Sequence, residues 1–239
     1  MTSLQTLFPG LPPSFEPHIT ITTNLWVDLE DADKRRDDVN KILSASAVAL
    51  NSIPKDGTNL VTLGKVDSQR KFLKKLYFKA YRDPKLISFA RIIRELFVIL
   101  PNDIEQENMK QNPQLYTLDE EGNSVRRRPL KKRRSQETGQ PPKEFDQTQI
   151  KQDATVKAAE WAVTEYDPHL SLVYSDLYPI DNALWRTIKT RIQDYLNIDN
   201  CDADYLEDNG LEWNGGVLKL VLCEGDVNEW VTLGSVDLH

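Results

Sequence analysis

Histidine, cysteine and methionine are scarce in this chain of 239 residues, which has three, two and two of them. Cys201 and Cys223 are too few for a disulfide framework and stand at no metal-ligand spacing from histidine. The expectation is a reducing, intracellular setting, with no cofactor and no metal. No apolar run approaches the roughly 18 residues of a membrane span, and Met1-Thr2-Ser3-Leu4-Gln5 lacks a basic stretch followed by an apolar one. A soluble, unexported chain follows as the expectation. Phosphate-binding glycine loops, nucleotide-kinase motifs and acidic clusters suited to magnesium are missing too. A net charge of −7 gives no reason to expect general affinity for nucleic acid. The length suits one large domain or two small lobes.

What the chain does contain, it contains twice. Glu16-Pro17-His18-Ile19-Thr20-Ile21-Thr22 is echoed by Tyr166-Asp167-Pro168-His169-Leu170-Ser171-Leu172, about 150 residues later. In each copy an acid and a proline precede the histidine, an aliphatic residue follows, and a hydroxyl stands two places on. On a strand, side chains alternate between faces, so His18, Thr20 and Thr22 are expected on one face and Ile19 and Ile21 beneath; His169 and Ser171 repeat the pattern. Histidine and hydroxyl then lie roughly 6.5 to 7 Å apart along each strand, close enough to converge on one small anion.

Two imidazoles and two hydroxyls suit hydrolysis of a phosphodiester. One histidine takes a proton from water and the other returns one to the leaving oxygen, since an ordinary pKa near 6.5 permits either role. The hydroxyls donate to non-bridging phosphate oxygens. An isolated His-x-Thr is commonplace and reads as a strand residue satisfied by a nearby carbonyl; the longer pattern, found twice, favours chemistry.

With these motifs, residues 60–81, the 86–97 helix with Arg94-Glu95, residues 167–174 and the 216–238 tail, the chain resembles the two-histidine (2H) phosphoesterases, and within them the fungal 2',3'-cyclic-nucleotide 3'-phosphodiesterases. The resemblance implies hydrolysis of nucleoside 2',3'-cyclic phosphates to 2'-phosphates and of ADP-ribose 1'',2''-cyclic phosphate, products linked to tRNA splicing, without a metal. It implies catalytic roles for His18 and His169, with His169 as base and His18 as acid, phosphate binding by Thr20 and Ser171, and a substrate-lining role for Tyr174. Strict alternation would turn Tyr174 away from His169, so that role requires a bulge. Relatives place a strand carrying a site-lining aromatic ahead of the first helix; here none precedes Thr2, and another segment must substitute or a sheet edge stays open. The alternatives are an RNA 2',3'-cyclic-end or 2',5'-phosphodiesterase of the same superfamily, and a non-catalytic RNA-end binding protein.

The expected fold is α+β and bilobal: two pseudo-symmetric antiparallel sheets, helices outside, and a groove holding both motifs, all in one domain of residues 1–239. Thr2 to Pro9 reads as a short helix presenting Leu4, Leu7 and Phe8. A helix from Asp33 buries Val39, Ile42, Leu43, Leu50 and Ile53 until Pro54; the second half copies it with an Asp181-capped helix facing Leu184, Trp185, Ile188, Ile192, Tyr195 and Leu196 inward. Each half thus reads as motif strand, loop, helix and further strands. Residues 60–66, 76–81, 217–223 and 230–236 read as strands, and Asp83-Pro84 caps a helix carrying Leu86, Ala90, Ile93 and Phe97 that Pro101 ends. Val61-Thr62-Leu63-Gly64 recurs at 231–234. Trp161, Trp185 and Trp213 read as core or lid residues.

Residues 102–153 are polar, proline-bearing and poor in aliphatics, and read as a disordered insertion ahead of a 154–163 helix. Inside it Arg126-Arg127-Arg128-Pro129-Leu130-Lys131-Lys132-Arg133-Arg134 carries seven positive charges in nine residues. It reads as a solvated loop beside an acidic body, or as a nuclear-localisation signal or RNA tether. The partners expected are a small cyclic phosphate and, through this run, RNA; the expected state is a monomer. The compartment expected is cytoplasmic, with the endomembrane system (Golgi) implied by fungal relatives and the nucleus by the basic run.

Overall fold

The structure is a computed structural model that describes residues 1–10, 12–54, 59–119, 122, 124–126, 142–176, 179–202, 204 and 211–238. Its main sheet has four strands in the order β5 (His169–Val173), β2 (Leu76–Ala80), β1 (Val61–Asp67) and β6 (Glu212–Trp213), each pair antiparallel. Two hairpins stand apart from it, β3 (Tyr116–Leu118) with β4 (Ser124–Arg126) and β7 (Gly216–Leu222) with β8 (Val231–Leu238). The architecture is α+β with antiparallel pairing throughout.

Two hydrophobic cores form beneath these sheets. The larger gathers Leu63, Val66, Leu76 and Phe78 of the main sheet with Leu4 and Phe8 behind α1 (Thr2–Gln5), and Ile188 and Ile192 of α6 (Asn182–Leu196). The smaller joins Leu220 of the last hairpin to Val39, Ile42 and Leu43 of α2 (Ala32–Asn51). α2 and α6 each start at an aspartate cap, Asp181 as expected for α6 and, for α2, Asp31 in place of the expected Asp33. The Asp31 carboxylate accepts from the N–H groups of Asp33 and Lys34, and the Asp181 carboxylate from that of Leu184. On α6 the apolar face is narrower than expected: Tyr195 is 74% exposed and lies outside the core.

The main sheet is not built from one half of the chain. The second motif, as β5, pairs with β2 of the first half, while α2 of the first half packs on the C-terminal hairpin. The sequential reading, one motif and its own strands per half, gives way to an interleaved arrangement, because antiparallel pairing needs only neighbouring edges and not neighbouring sequence. The repeated Val-Thr-Leu-Gly tetrapeptides find a shared reason in close approach. A Cβ on Gly64 would meet the Asp204 carbonyl oxygen at 2.4 Å, and one on Gly234 would meet Val39 Cγ1 at 2.6 Å, so each strand lies under a neighbour that leaves no room for a side chain.

Pro101 does not end its helix. α3 (Pro84–Arg94) passes through a π-helical turn, Glu95–Ile99, into α4 (Leu100–Gln111), in which Pro101 occupies the first turn. The Leu100 N–H reaches back to the Glu95 carbonyl, five residues away, and the wider turn accommodates a ring that an ordinary helix interior rejects. Leu86 and Ala90 then sit in the larger core and Phe97 in the smaller, so one continuous rod ties the two together.

The expected insertion at 102–153 is structured at both ends. Asn112, fully buried at the end of α4, donates from Nδ2 to the Lys143 carbonyl (3.0 Å) and accepts the Lys143 N–H on Oδ1 (2.7 Å). Tyr116 is buried, its hydroxyl donating to Glu105 and accepting from Asn108. The helix expected at 154–163 begins earlier, as α5 (Thr148–Thr164), whose Ala154, Ala158 and Ala162 form a stripe that packs against α3 and α4. Apart from Arg126, the basic run lies outside the described residues. No helix among the described residues is long and apolar enough to cross a membrane.

Candidate active site

The two motifs meet. Residues 12–29 form no regular strand, contrary to expectation, but Ile19 makes one antiparallel bridge to Leu170 of β5. The expected alternation survives without the strand: His18 and Thr20 are exposed while Ile19 and Ile21 pack on the larger core. Extending the antiparallel register by one residue on either side of the bridge sets His18 opposite Ser171 and Thr20 opposite His169. Facing residues of such a pair lie about 4.5 to 5.5 Å apart. The four side chains therefore mark a small quadrilateral, imidazoles on one diagonal and hydroxyls on the other, all on the face away from Ile19 and Leu170.

Each histidine is held in the same way. His18 Nδ1 lies 2.7 Å from the Glu16 carbonyl oxygen, and His169 Nδ1 lies 2.7 Å from that of Asp167. A carbonyl oxygen only accepts, so Nδ1 carries the hydrogen in both rings and Nε2 is the atom that takes or gives a proton. The intervening Pro17 and Pro168 fix the backbone between carbonyl and ring, which is why the acid-proline-histidine spelling repeats. An aromatic edge supports each imidazole, Phe15 against His18 at 6.2 Å between centroids and Tyr77 against His169 at 5.4 Å, with interplanar angles of 74° and 72°. Each preceding acid is paired with a lysine: Lys219 of β7 donates to Glu16 (2.5 Å), and Lys74, in the β1–β2 connection, to Asp167 (2.5 Å).

Burial lowers the His169 pKa below its ordinary value; the Asp167 carbonyl and carboxylate oppose this, and Lys74 and His18 add to it. The imidazole is thereby kept neutral near pH 7, the state a base requires.

The hydroxyls differ. Thr20 is exposed and makes no hydrogen bond among the described residues, so its proton is free for an anion. Ser171 is buried, and its Oγ donates to the Leu73 carbonyl at 2.8 Å. Its one proton must leave that carbonyl before it can serve a phosphate.

Tyr174 reaches the site through the bulge that its role required. In the β2–β5 ladder Tyr77 pairs with Ser171 but Leu76 pairs with Val173, so Leu172 is an extra residue on β5. The insertion reverses the alternation beyond it and turns Tyr174 to the side of Ser171, whose hydroxyl partly offsets the rise that burial causes in the phenol's pKa. The Tyr174 ring stacks on Phe15 at 3.8 Å and 12°, with Phe72 at 5.8 Å and Trp230 at 6.2 Å.

Sequence reasoning missed Lys74, Lys219, Phe15, Phe72 and Trp230. Phe15 was within reach, three residues before His18; the lysines lie 93 and 203 residues from their acids, and no local pattern connects them. Two arginines fasten the motifs from outside. Arg82 donates to the carbonyls of Tyr166 and Ala162 at the entry to β5, and Arg94, stacked on Trp161, donates to Thr22 Oγ1 and the Thr23 carbonyl. Cys201 and Cys223 are both free. Trp161, Trp185 and Trp213 pack half-buried against the larger core.

The chain is similar along its whole length to curated fungal proteins. It is 66% identical to the 2',3'-cyclic-nucleotide 3'-phosphodiesterase of Debaryomyces hansenii, covering all of this chain and 99% of that one. It is 63% identical to the protein of the same name from Candida albicans, covering 100% and 91%. The Saccharomyces cerevisiae protein of that name is 27% identical, covering 99% and 90%. No solved structure matches. The sequence profile of the cyclic phosphodiesterase-like proteins spans residues 1–118 and 138–238, and the chain belongs to that family.

Proposed function

We propose that this protein is an enzyme that hydrolyses nucleoside 2',3'-cyclic phosphates to nucleoside 2'-phosphates by metal-independent acid-base catalysis. The observation that carries the reading is the equivalence of His18 and His169: same tautomer, Nε2 free, on opposite corners of the Ile19–Leu170 crossing. The names of the similar fungal proteins support the substrate class.

A cyclic phosphate centred on the quadrilateral has an imidazole on either side, the arrangement that in-line displacement needs. His169, neutral and half-buried, takes a proton from the attacking water as that oxygen bonds to phosphorus. The bond from phosphorus to the 3'-oxygen breaks, and protonated His18 gives its proton to that oxygen. The product keeps its phosphate on the 2'-oxygen, and the two rings regain their starting states by exchange with solvent. Thr20 donates to a non-bridging oxygen, and Ser171 joins it when its hydroxyl turns from Leu73. Tyr174, with Phe15, Phe72 and Trp230, offers faces on which a nucleobase stacks.

The two hydrophobic cores are read as the two lobes of a single bilobal catalytic unit spanning residues 1–239, acting as a monomer. ADP-ribose 1'',2''-cyclic phosphate presents the same five-membered ring and is proposed as a second substrate. The test is product identity. With 2',3'-cyclic AMP the protein should release adenosine 2'-phosphate and not the 3'-isomer, at the same rate with and without a chelator. Release of the 3'-isomer, or arrest by the chelator, refutes the mechanism; tight binding of the cyclic nucleotide without turnover assigns the protein to the binding class.

A further inference from the structure

The two ion pairs, Glu16 with Lys219 and Asp167 with Lys74, repeat one relationship at both motifs although the lysines come from unrelated places in the fold. Ion pairs as exposed as these, with carboxylates 70% and 55% accessible, stabilise a fold little. Their duplication beside the two histidines therefore needs another reason, and the hydrogen bonds supply it. The acid whose side chain each lysine holds is the residue whose carbonyl receives the histidine Nδ1–H. Lys74 also lies over the Tyr77 ring, at 5.6 Å from its centroid, and that ring is the edge-on support of His169. Fixing the carboxylate fixes the peptide, the peptide fixes the imidazole, and the imidazole aims Nε2.

We propose that Lys74 and Lys219 are positioning residues, one for each histidine, which hold the Asp167 and Glu16 backbones so that both imidazoles keep the Nδ1–H tautomer and face the phosphate. Neither touches the reacting atoms. The proposal rests on the acid-base reading of His18 and His169 and extends it to the residues that aim them.

The lysines carry a second signature through charge. The groups that face His169 are Asp167 on its own segment, Lys74 from the β1–β2 connection, Tyr77 and Lys79 from β2, and His18 from the first motif. Removing Lys74 takes away a cation that opposes protonation and leaves the Asp167 carboxylate, which favours it, uncompensated. The acid limb of the pH profile should move to higher pH in Lys74→Met, which a merely structural lysine would not cause.

The experiment is steady-state turnover of 2',3'-cyclic AMP across pH by full-length Lys74→Met, Lys219→Met, Lys74→Arg and Lys219→Arg, with melting temperature measured for each. The expected result is a fall in kcat of about 10-fold or more in each methionine variant with KM within about twofold. Melting temperatures should stay near the parent's, both arginine variants should recover most of the rate, and the acid limb should rise in Lys74→Met. Parental kcat in the methionine variants overturns the proposal. So does a raised KM at unchanged kcat, which would make the lysines direct substrate ligands, and so does failure of arginine to restore the rate. His18→Ala and His169→Ala separate the two levels: if they are inactive while the lysine variants behave as the parent, this inference alone fails, and if they turn over normally, the acid-base reading itself fails.

Discussion

The side chain of Tyr174 lies with that of Ser171, three residues away along one strand and its end, where alternation would put the two on opposite faces. Leu172 is the residue that makes this contact geometrically allowed, by adding one position to β5 without adding one to β2. The bulge brings the hydroxyl side of the candidate site beside its aromatic side.

Tyr174→Phe keeps the stack on Phe15 and loses only the hydroxyl, so KM for a cyclic nucleotide should stay near the parental value. Tyr174→Ala loses the stack as well. Base-aromatic stacking is worth about 1 to 3 kcal/mol, so KM should rise by roughly 10-fold or more. Equal KM values for the alanine and phenylalanine variants would remove the aromatic cluster from substrate binding.

Thr20 and Ser171 should respond differently although the sequence makes them equivalents. Thr20→Val preserves shape and deletes a free donor, and is expected to lower kcat by about 10²–10³ with little change in melting temperature. Ser171→Ala also deletes the buried bond to the Leu73 carbonyl, so it should cost stability as well as rate. Parental turnover by Thr20→Val would reduce Thr20 to a packing residue.

Acidity tests His169. Its pKa is lowered chiefly by burial, so the unfolded chain takes up the proton first as pH falls below about 6.5. This histidine therefore subtracts from stability as pH drops from 6.5 through its folded value, and contributes no pH dependence well above that window. The acid limb of kcat/KM, where this base becomes protonated, should likewise fall off only below about pH 6.5. A limb at or above 6.5 that survives in His169→Asn would belong to another group.

The fold was legible where local rules decide and obscure where remote partners do. Asp181 capped the helix that its spelling announced, and Val39, Ile42 and Leu43 turned inward on period, while the cap of α2 fell to Asp31 and not to the Asp33 expected to open it. Pro101 misled because the π turn that tolerates it has no sequence mark of its own. Polar composition at 102–153 suggested a chain unable to fold, yet Asn112 and Tyr116 bury themselves by satisfying every strong polar group they carry in. At the site, both histidines and both hydroxyls were readable because the motif is duplicated. Their interleaved pairing, the lysines and the Leu73 contact were not, since each depends on which distant segment arrives beside the motif.

Asn112 joins the end of α4 to the Lys143 backbone, 31 residues further along the chain. Replacing residues 113–142 by a short flexible bridge between Asn112 and Lys143 should lower stability through the loss of buried Tyr116, since loop-closure cost itself changes only with the logarithm of length, but should leave cyclic-mononucleotide turnover intact. Asn112→Ala should destabilise by about 1 to 3 kcal/mol, the cost of leaving buried partners unpaired, read as a lowered denaturation midpoint. Loss of turnover in the excised protein would mean that the segment shapes the site.

The most direct test of the two-histidine mechanism is single-turnover hydrolysis of 2',3'-cyclic AMP by His18→Ala, His169→Ala and the double variant. Acid and base acting in one step predict a loss of about 10²–10⁴ for either single variant, and a double variant hardly worse than the singles. Parental rates in either single variant, or losses that multiply in the double, would contradict it.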